Sequence, residues 1–233
     1  MGKDVVGAAL LDYYANNYSE DIIVKSSVAA DDVLPIPYLF RTAKELPKLE
    51  QLALKNCCGK VLDVGAGSGC HSIILQEKGI DVVAIDTSKG AVELMNKRGL
   101  KAECINFFET KGQYDTLLFL MNGLGLAGTL KVLPQFLKKA MELLLPNGQI
   151  LLDSSDIKYL YAAENGTQWV DLNSAYYGEV SYQMAYKNKL TDPFDWLFVD
   201  FEQLKKTAAT VGLKATMLYE DKHQQYLAQL SKV

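Results

Sequence analysis

The chain is read as an α/β protein: a doubly wound, mainly parallel seven-stranded sheet with its last strand antiparallel, a helical N-terminal cap ahead of it and a β-rich insertion after the fifth strand. Three observations predict this. From Lys60 onward, apolar runs of strand length alternate with stretches of helical periodicity. One run, YDTLLFLM at Tyr114–Met121, is apolar almost throughout, as suits a central parallel strand covered on both faces. The final two strands are separated only by about KHQ, too short for a parallel crossover, so they are antiparallel neighbours.

Taken in order, residues 1–56 read as the cap. ALLDYYANNY has helical patterning, LPIPYLF is extended around its prolines, and RTAKELPKLEQLALKN supplies another helix or two ending near Cys57. The second unit runs from 57 to 233. Its elements are a strand at Lys60–Val64, a helix at Cys70–Lys78, a strand at Asp81–Asp86, a helix at Ala91–Lys97 closed by Gly99, and a weaker strand at Lys101–Ile105. After Tyr114–Met121 come a helix over Thr129–Leu144 that leaves through PNG, and a fifth strand at Gln149–Leu152. The insertion covers about 154–198, where YGEVSYQMAY and FDWLFVD read as strands joined around KNKLTDP. A helix, DFEQLKKTAATVGL, and the strands KATMLYED and QQYLAQLSK complete the chain.

Composition narrows the function. The 233 residues are 49% hydrophobic, enough for one substantial core, and the net charge is −4 with Lys and Arg dispersed. That pattern gives no footprint for nucleic acid or an anionic membrane and favours a small-molecule substrate. Cys57, Cys58, Cys70 and Cys104 form no metal-ligand spacing with His71 and His223, so no metal site is expected and a reducing, cytoplasmic setting is. No run approaches the roughly 18 apolar residues of a membrane span, and Val6 stands where a myristoylation signal wants Ser or Thr.

The chemistry concentrates in VLDVGAGSGCHS, residues 61–72. Gly65, Gly67 and Gly69 permit close backbone approach, and the helix that follows offers its first N–H groups to an anion. A GxGxG turn alone does not choose between dinucleotides and other nucleotide-like cofactors. Asp63, ahead of the glycines, disfavours a pyrophosphate and suits an ammonium. S-adenosyl-L-methionine carries an ammonium, a sulfonium and a carboxylate and no phosphate. Asp86, closing DVVAID, suits a ribose diol, and Asn106 with Phe107 can meet an adenine, although core packing accounts equally well for Phe107.

These residues resemble the class I S-adenosylmethionine-dependent methyltransferase family. VLDVGAGSG is similar to its first motif, AID to its acidic second motif, YDTLLFLMNG to its fourth and LLPNGQILLD to its fifth strand, while Asn106 replaces the acidic residue often found at INFF. The resemblance implies a Rossmann-like fold and direct methyl transfer from S-adenosyl-L-methionine. With the readings above, it puts cofactor contacts at Asp63, Gly65, Ala66, Gly67, Gly69, His71, Asp86, Thr87, Asn106, Phe107 and Asn122. From the cap, Arg41 is expected on the cofactor carboxylate and Tyr38 on the sulfonium or adenosine, with a surface salt bridge as the other reading of Arg41. Asn122 is the candidate catalytic residue, a polar group facing the methyl-transfer region. His71 is read as a cofactor-side hydrogen-bonding or helix-start residue rather than a base, and His223 as a solvated turn residue.

The insertion holds Tyr159, Tyr161, Trp169, Tyr176, Tyr177, Tyr182, Tyr186 and Trp196, which read as a pocket lining, the core of a lid or a homodimer interface. Two further readings stand beside a small-molecule methyltransferase: a non-catalytic S-adenosylmethionine-binding protein, and a nicotinamide-dependent oxidoreductase, against which Asp63 and the antiparallel strand pair argue.

Overall fold

The computed structural model describes residues 4–161 and 175–233. Trp169 and the segment around Gly2 lie outside them.

Helix α1, Val5–Tyr14, opens the chain, capped by Asp4, whose carboxylate accepts from Gly7 N. Two short strands follow, β1 (Ile22–Ser26) and β2 (Asp32–Leu34), then a 3-10 turn at Ile36–Phe40 and helix α2, Lys48–Asn56. The cap is therefore not purely helical, and LPIPYLF is not extended: Pro35 is extended, but Pro37 sits in the first turn of the 3-10 segment, where a missing N–H costs nothing. The two strands pair locally with each other, Ile22 opposite Leu34, but both are short, and the longer pairing of β1 is remote: Ile23–Ser26 pair with Tyr182–Ala185 of the insertion, which leaves no local trace.

The alternating part runs β3 (Lys60–Val64), α3 (Cys70–Glu77), β4 (Asp81–Asp86), α4 (Lys89–Lys97), β5 (Ala102–Cys104), β6 (Tyr114–Phe119), α5 (Leu133–Leu143) and β7 (Leu144–Ser155). Pro134 delays α5 past the expected start, because proline is tolerated only in a helix's first turn. The insertion contributes β8 (Glu179–Tyr186), β9 (Lys189–Leu190) and β10 (Phe194–Leu197), and the chain ends in α6 (Phe201–Thr210), β11 (Leu213–Glu220) and β12 (Gln225–Lys232).

The main sheet has seven strands in the order β11-β12-β7-β6-β3-β4-β5. Pairs from β7 to β5 are parallel, while β12 runs antiparallel to both β7 and β11. The period of two along each strand sorts the core into two faces. Leu62, Val64, Leu117, Phe119, Ile150 and Leu152 face α5 and α6, whereas Val61, Leu118 and Leu151 face α2 and α3. Asp63 and Asp153 fall in the second register, which sends two carboxylates toward the α2–α3 side. Strands β10, β8, β1 and β2, with β9 alongside β8, form a smaller antiparallel sheet, so cap and insertion share one layer.

The cap is joined closely to the main domain. Helix α1 crosses α4 where Gly7 meets Gly90: a Cβ on Gly90 would stand 2.7 Å from the Gly7 backbone. Asp4 also accepts from Ser88 Oγ at 2.8 Å and Gly90 N at 2.9 Å, capping α4 as well as α1.

Candidate cofactor site

The glycine turn forms as the residues dictate. Gly65, Gly67 and Gly69 take φ values of 70°, 58° and 78°, which a side chain rarely tolerates. The Gly65 and Ala66 amides both donate to Ile85 O, and Gly69 N donates to Ala66 O, so the turn is fixed before any ligand arrives. Ala66 itself packs in a small core with Val92, Met95 and Leu100. Beyond Gly69, the first amides of α3 have no partner within the helix and form the turn's anion-binding end.

Asp63 is 2% exposed and accepts from Ser72 Oγ at 2.6 Å. Burial pushes its carboxyl above the usual range, opposed by the His71 charge and the Ser72 hydrogen bond. It therefore holds the first turn of α3 from behind, a correction to the expected rim position. Asp86 accepts from Gly67 N at 2.9 Å and Ser88 N at 2.8 Å. Burial raises it too, against those backbone hydrogen bonds. A carboxylate has about four acceptor positions, so two remain for a diol. Thr87 next to it is exposed.

At the far end, Asn106 Oδ1 accepts from Phe108 N at 2.9 Å, capping a short 3-10 turn. Phe107 is a core residue, 6% exposed, with ring centroids 4.7 Å from Phe136 and 5.2 Å from Phe119. The expected ring contact with a purine is thus not carried by Phe107. Its neighbour Phe108 is the exposed ring.

The cap closes over the turn. Ser68 Oγ donates to Leu39 O, and Arg98 donates to Ser68 O at 2.6 Å. Arg41, only 7% exposed, is no surface salt bridge. Its Nη2 donates to Glu50 Oε2 at 3.0 Å and lies 3.6 Å from Met121 Sδ, and its guanidinium sits 3.6 Å over the Tyr38 ring. Nε and Nη1 are buried and have no partner among the described residues. The same Glu50 oxygen lies 2.6 Å from His71 Nε2. Burial alone would discharge His71, but hydrogen bonds with Cys70 and Glu50 and nearby acidic charge outweigh it and push the imidazole up to about 10. An imidazole held protonated cannot serve as a base at neutral pH.

Glu50 was missed by sequence reading, although a signal existed. Leu46, Leu49, Ala53 and Leu54 are buried along one helical stripe, and Glu50 stands in that stripe. A carboxylate on an apolar face requires a buried cation, and here it has two.

Asn122 follows β6 in a strained turn: Met121 and Asn122 have φ values of 60° and 55°. Its carboxamide is engaged at both ends, accepting from Ser154 Oγ at 2.8 Å and donating to Leu197 O at 3.3 Å. Its backbone N donates to Asp153 Oδ1 at 2.8 Å. The side chain expected to face the reacting region instead ties the ends of β6 and β7 to β10. Asp153 is fully buried and is pushed up to about 6 by burial, against its hydrogen bonds from Asn122 and Gln225.

Fold and site together define a nucleotide-cofactor-binding α/β enzyme class whose cofactor edge is roofed by its own N-terminal segment. A family model described as a methyltransferase domain matches residues 37–185. A crystal structure of a SAM-dependent methyltransferase from Bacteroides fragilis, in complex with S-adenosyl-L-homocysteine, is 45% identical, covers 99% of this chain and 95% of its own, and superposes with a TM-score of 0.93. The chain belongs to the class I S-adenosylmethionine-dependent methyltransferase family. More distant folds of the same kind include the CcbJ methyltransferase from Streptomyces caelestis, at 14% identity, 82% and 94% coverage and a TM-score of 0.63. Another is CalS10, an amino pentose methyltransferase from Micromonospora echinaspora, at 12% identity, 82% and 94% coverage and 0.57. No curated protein matches the chain.

Proposed function

We propose that this protein transfers a methyl group from S-adenosyl-L-methionine to a small molecule. The observation that carries the reading is Arg41: a buried guanidinium with two nitrogens, Nε and Nη1, lacking partners among the described residues, beside a glycine turn. Such a site calls for a carboxylate. In this reading Arg41 and the first turn of α3 hold the carboxylate end, Tyr38 flanks it, Asp86 takes the ribose hydroxyls beside Thr87, and Asn106 and Phe108 border the adenine. When bound, the cofactor supplies an activated methyl group on a sulfonium. The protein's own part is then to orient donor and acceptor and exclude water, which needs no covalent residue. Asn122 contributes by fixing the β6–β7 edge.

Among the described residues no helix is long and apolar enough to cross a membrane, and no cluster of metal-ligating side chains occurs. The free thiols of Cys57, Cys58, Cys70 and Cys104 support a cytoplasmic setting. Calorimetric titration with S-adenosyl-L-methionine, S-adenosyl-L-homocysteine and NAD, followed by methyl-label transfer into a metabolite extract, tests the proposal. Binding of NAD in preference to S-adenosyl-L-homocysteine, or no transfer to any extract component, refutes it.

A further inference from the structure

A cavity of about 470 Å³ lies between the small sheet and the ends of β7 and β12. Its walls come from both halves of the roof, including Val24 and Val33 of the cap and Val180, Tyr182 and Phe198 of the insertion region. Most of this lining is apolar or aromatic, which suits a molecule with an apolar body. Its polar side is formed by Gln225, Asp221, His223, Ser155 and Asp32, and no Lys or Arg of the described residues lines it.

Gln225 gives the cavity a defined polarity. Its Nε2 donates to Asp153 Oδ2 at 3.0 Å. This bond sets the amide with its N–H toward the carboxylate, and Oε1 remains as the acceptor end with no partner among the described residues. Asp153 is itself held from the other side by Asn122 N, so the orientation of Gln225 is set by the same turn that closes β6. Nearby, Asp221 Oδ1 accepts from His223 N at 2.7 Å and Gln225 N at 3.0 Å, which seats the loop and leaves its second oxygen open. A carbonyl oxygen, an open carboxylate oxygen, the Asp32 carboxylate and the lack of Lys or Arg among the described lining make the polar side acceptor-rich, with the His223 imidazole alongside. It attracts N–H donors and positive charge, and an anionic ligand would meet uncompensated like charge there.

We propose that this cavity binds an amine-bearing small molecule with an apolar body, with Gln225 Oε1 and Asp221 receiving the amine and Asp153 acting as the positioning residue for Gln225. This rests on the methyltransferase reading only for the statement that the ligand is the methyl acceptor. The test uses full-length protein saturated with S-adenosyl-L-homocysteine, titrated with 2-phenylethylamine, 2-phenylethanol and 3-phenylpropionate, which share one apolar body. The amine is expected to bind about tenfold or more tightly than the carboxylate, with the alcohol between them. Gln225→Leu and Asp221→Asn are each expected to weaken the amine about tenfold and leave the carboxylate unimproved or slightly improved. Retained binding of S-adenosyl-L-homocysteine shows that each variant is folded. Equal or tighter binding of 3-phenylpropionate, absence of amine binding, or amine affinity indifferent to both substitutions overturns the proposal. Failure of S-adenosyl-L-homocysteine to bind the wild-type protein would instead overturn the reading of the cofactor site, so the two failures are distinct.

Discussion

Replacing Arg41 with alanine separates cofactor binding from folding. The guanidinium is already buried, so its desolvation occurs on folding and is not charged against ligand binding. Each of its two open nitrogens can donate a charge-assisted hydrogen bond of about 1.5–3 kcal/mol. Allowing for imperfect geometry, a total loss of about 2–4 kcal/mol is expected, a Kd for S-adenosyl-L-homocysteine raised roughly 30- to 700-fold. Stability should fall much less. Removing one member of a buried ion pair usually costs about 3–5 kcal/mol because the other is stranded, but Glu50 keeps His71 at 2.6 Å. The expected destabilisation is therefore about 1–2 kcal/mol, mostly from lost contact with Tyr38 and Met121. Arg41→Lys keeps the charge and loses the planar fork, and should fall between wild type and Arg41→Ala in affinity. Titration calorimetry reads the affinity and urea denaturation reads the stability. A folded Arg41→Ala protein whose Kd lies within threefold of wild type would refute the assignment of Arg41 to the cofactor carboxylate.

Other consequences follow from the same geometry. Phe107→Ala should destabilise the protein by about 3–5 kcal/mol as a core deletion while a folded preparation keeps near wild-type cofactor affinity; an affinity loss without a stability loss would restore Phe107 to the adenine site. Gly90→Ala drives a methyl group to 2.7 Å from the Gly7 backbone and should cost about 1–3 kcal/mol, read as a lower thermal midpoint; an unchanged midpoint would mean that α1 does not pack on α4 as described. Asp153 has a folded-state pKa raised to about 6 from 3.8, so its ionisation opposes folding. Its contribution is most favourable below pH 3.8 and is lost as pH rises through about 6, a change of about 3 kcal/mol. Denaturation of wild type and Asp153→Asn at pH 4 and pH 7.5 should show the wild type losing ground to the variant by that order; a pH-independent difference would refute it.

What the sequence disclosed and what it withheld divide along locality. Strands β3 and β4 were legible to the residue, because each is a short apolar run bounded by glycine or by a helix cap. The antiparallel setting of β12 was legible too, since a connection as short as residues 221–224 excludes any other. By contrast β1 is IIVKS in an otherwise polar stretch, its local partner β2 is only three residues long, and its other partner is Gln183 and its neighbours, more than 150 residues on. No window over the cap contains that information. The glycine turn shows the same division. The positive φ of Gly65, Gly67 and Gly69 and the strand-end place of Asp86 were legible because backbone conformation and strand-end position are local properties. Asn122, Phe107 and Asp63 were assigned to the ligand on position alone, and their side chains proved to be engaged within the protein.

Glu50 shows how such a residue can be found before a structure is available. Its helix has a buried stripe at Leu49, Ala53 and Leu54, continued by Leu46 just ahead of it, and a charge at that phase cannot remain unpaired in a core. Counting donors then points to the partner. Glu50 is shared between Arg41 and His71 and meets only Nη2 of the guanidinium, so Nε and Nη1 of Arg41 stay buried without a partner among the described residues, and such donors are costly unless an acceptor completes them. On the cofactor reading proposed above, the carboxylate of the cofactor supplies that acceptor, and because Arg41 and Glu50 belong to the cap while His71 belongs to α3, it would also stabilise the cap in its closed position. That reading makes cofactor binding and cap ordering one equilibrium. Protection of the α2 and 3-10 segment amides against hydrogen exchange should rise when S-adenosyl-L-homocysteine is added to wild type, and the rise should be lost in Arg41→Ala. Equal protection with and without the ligand would show that the cap is held by its packing alone.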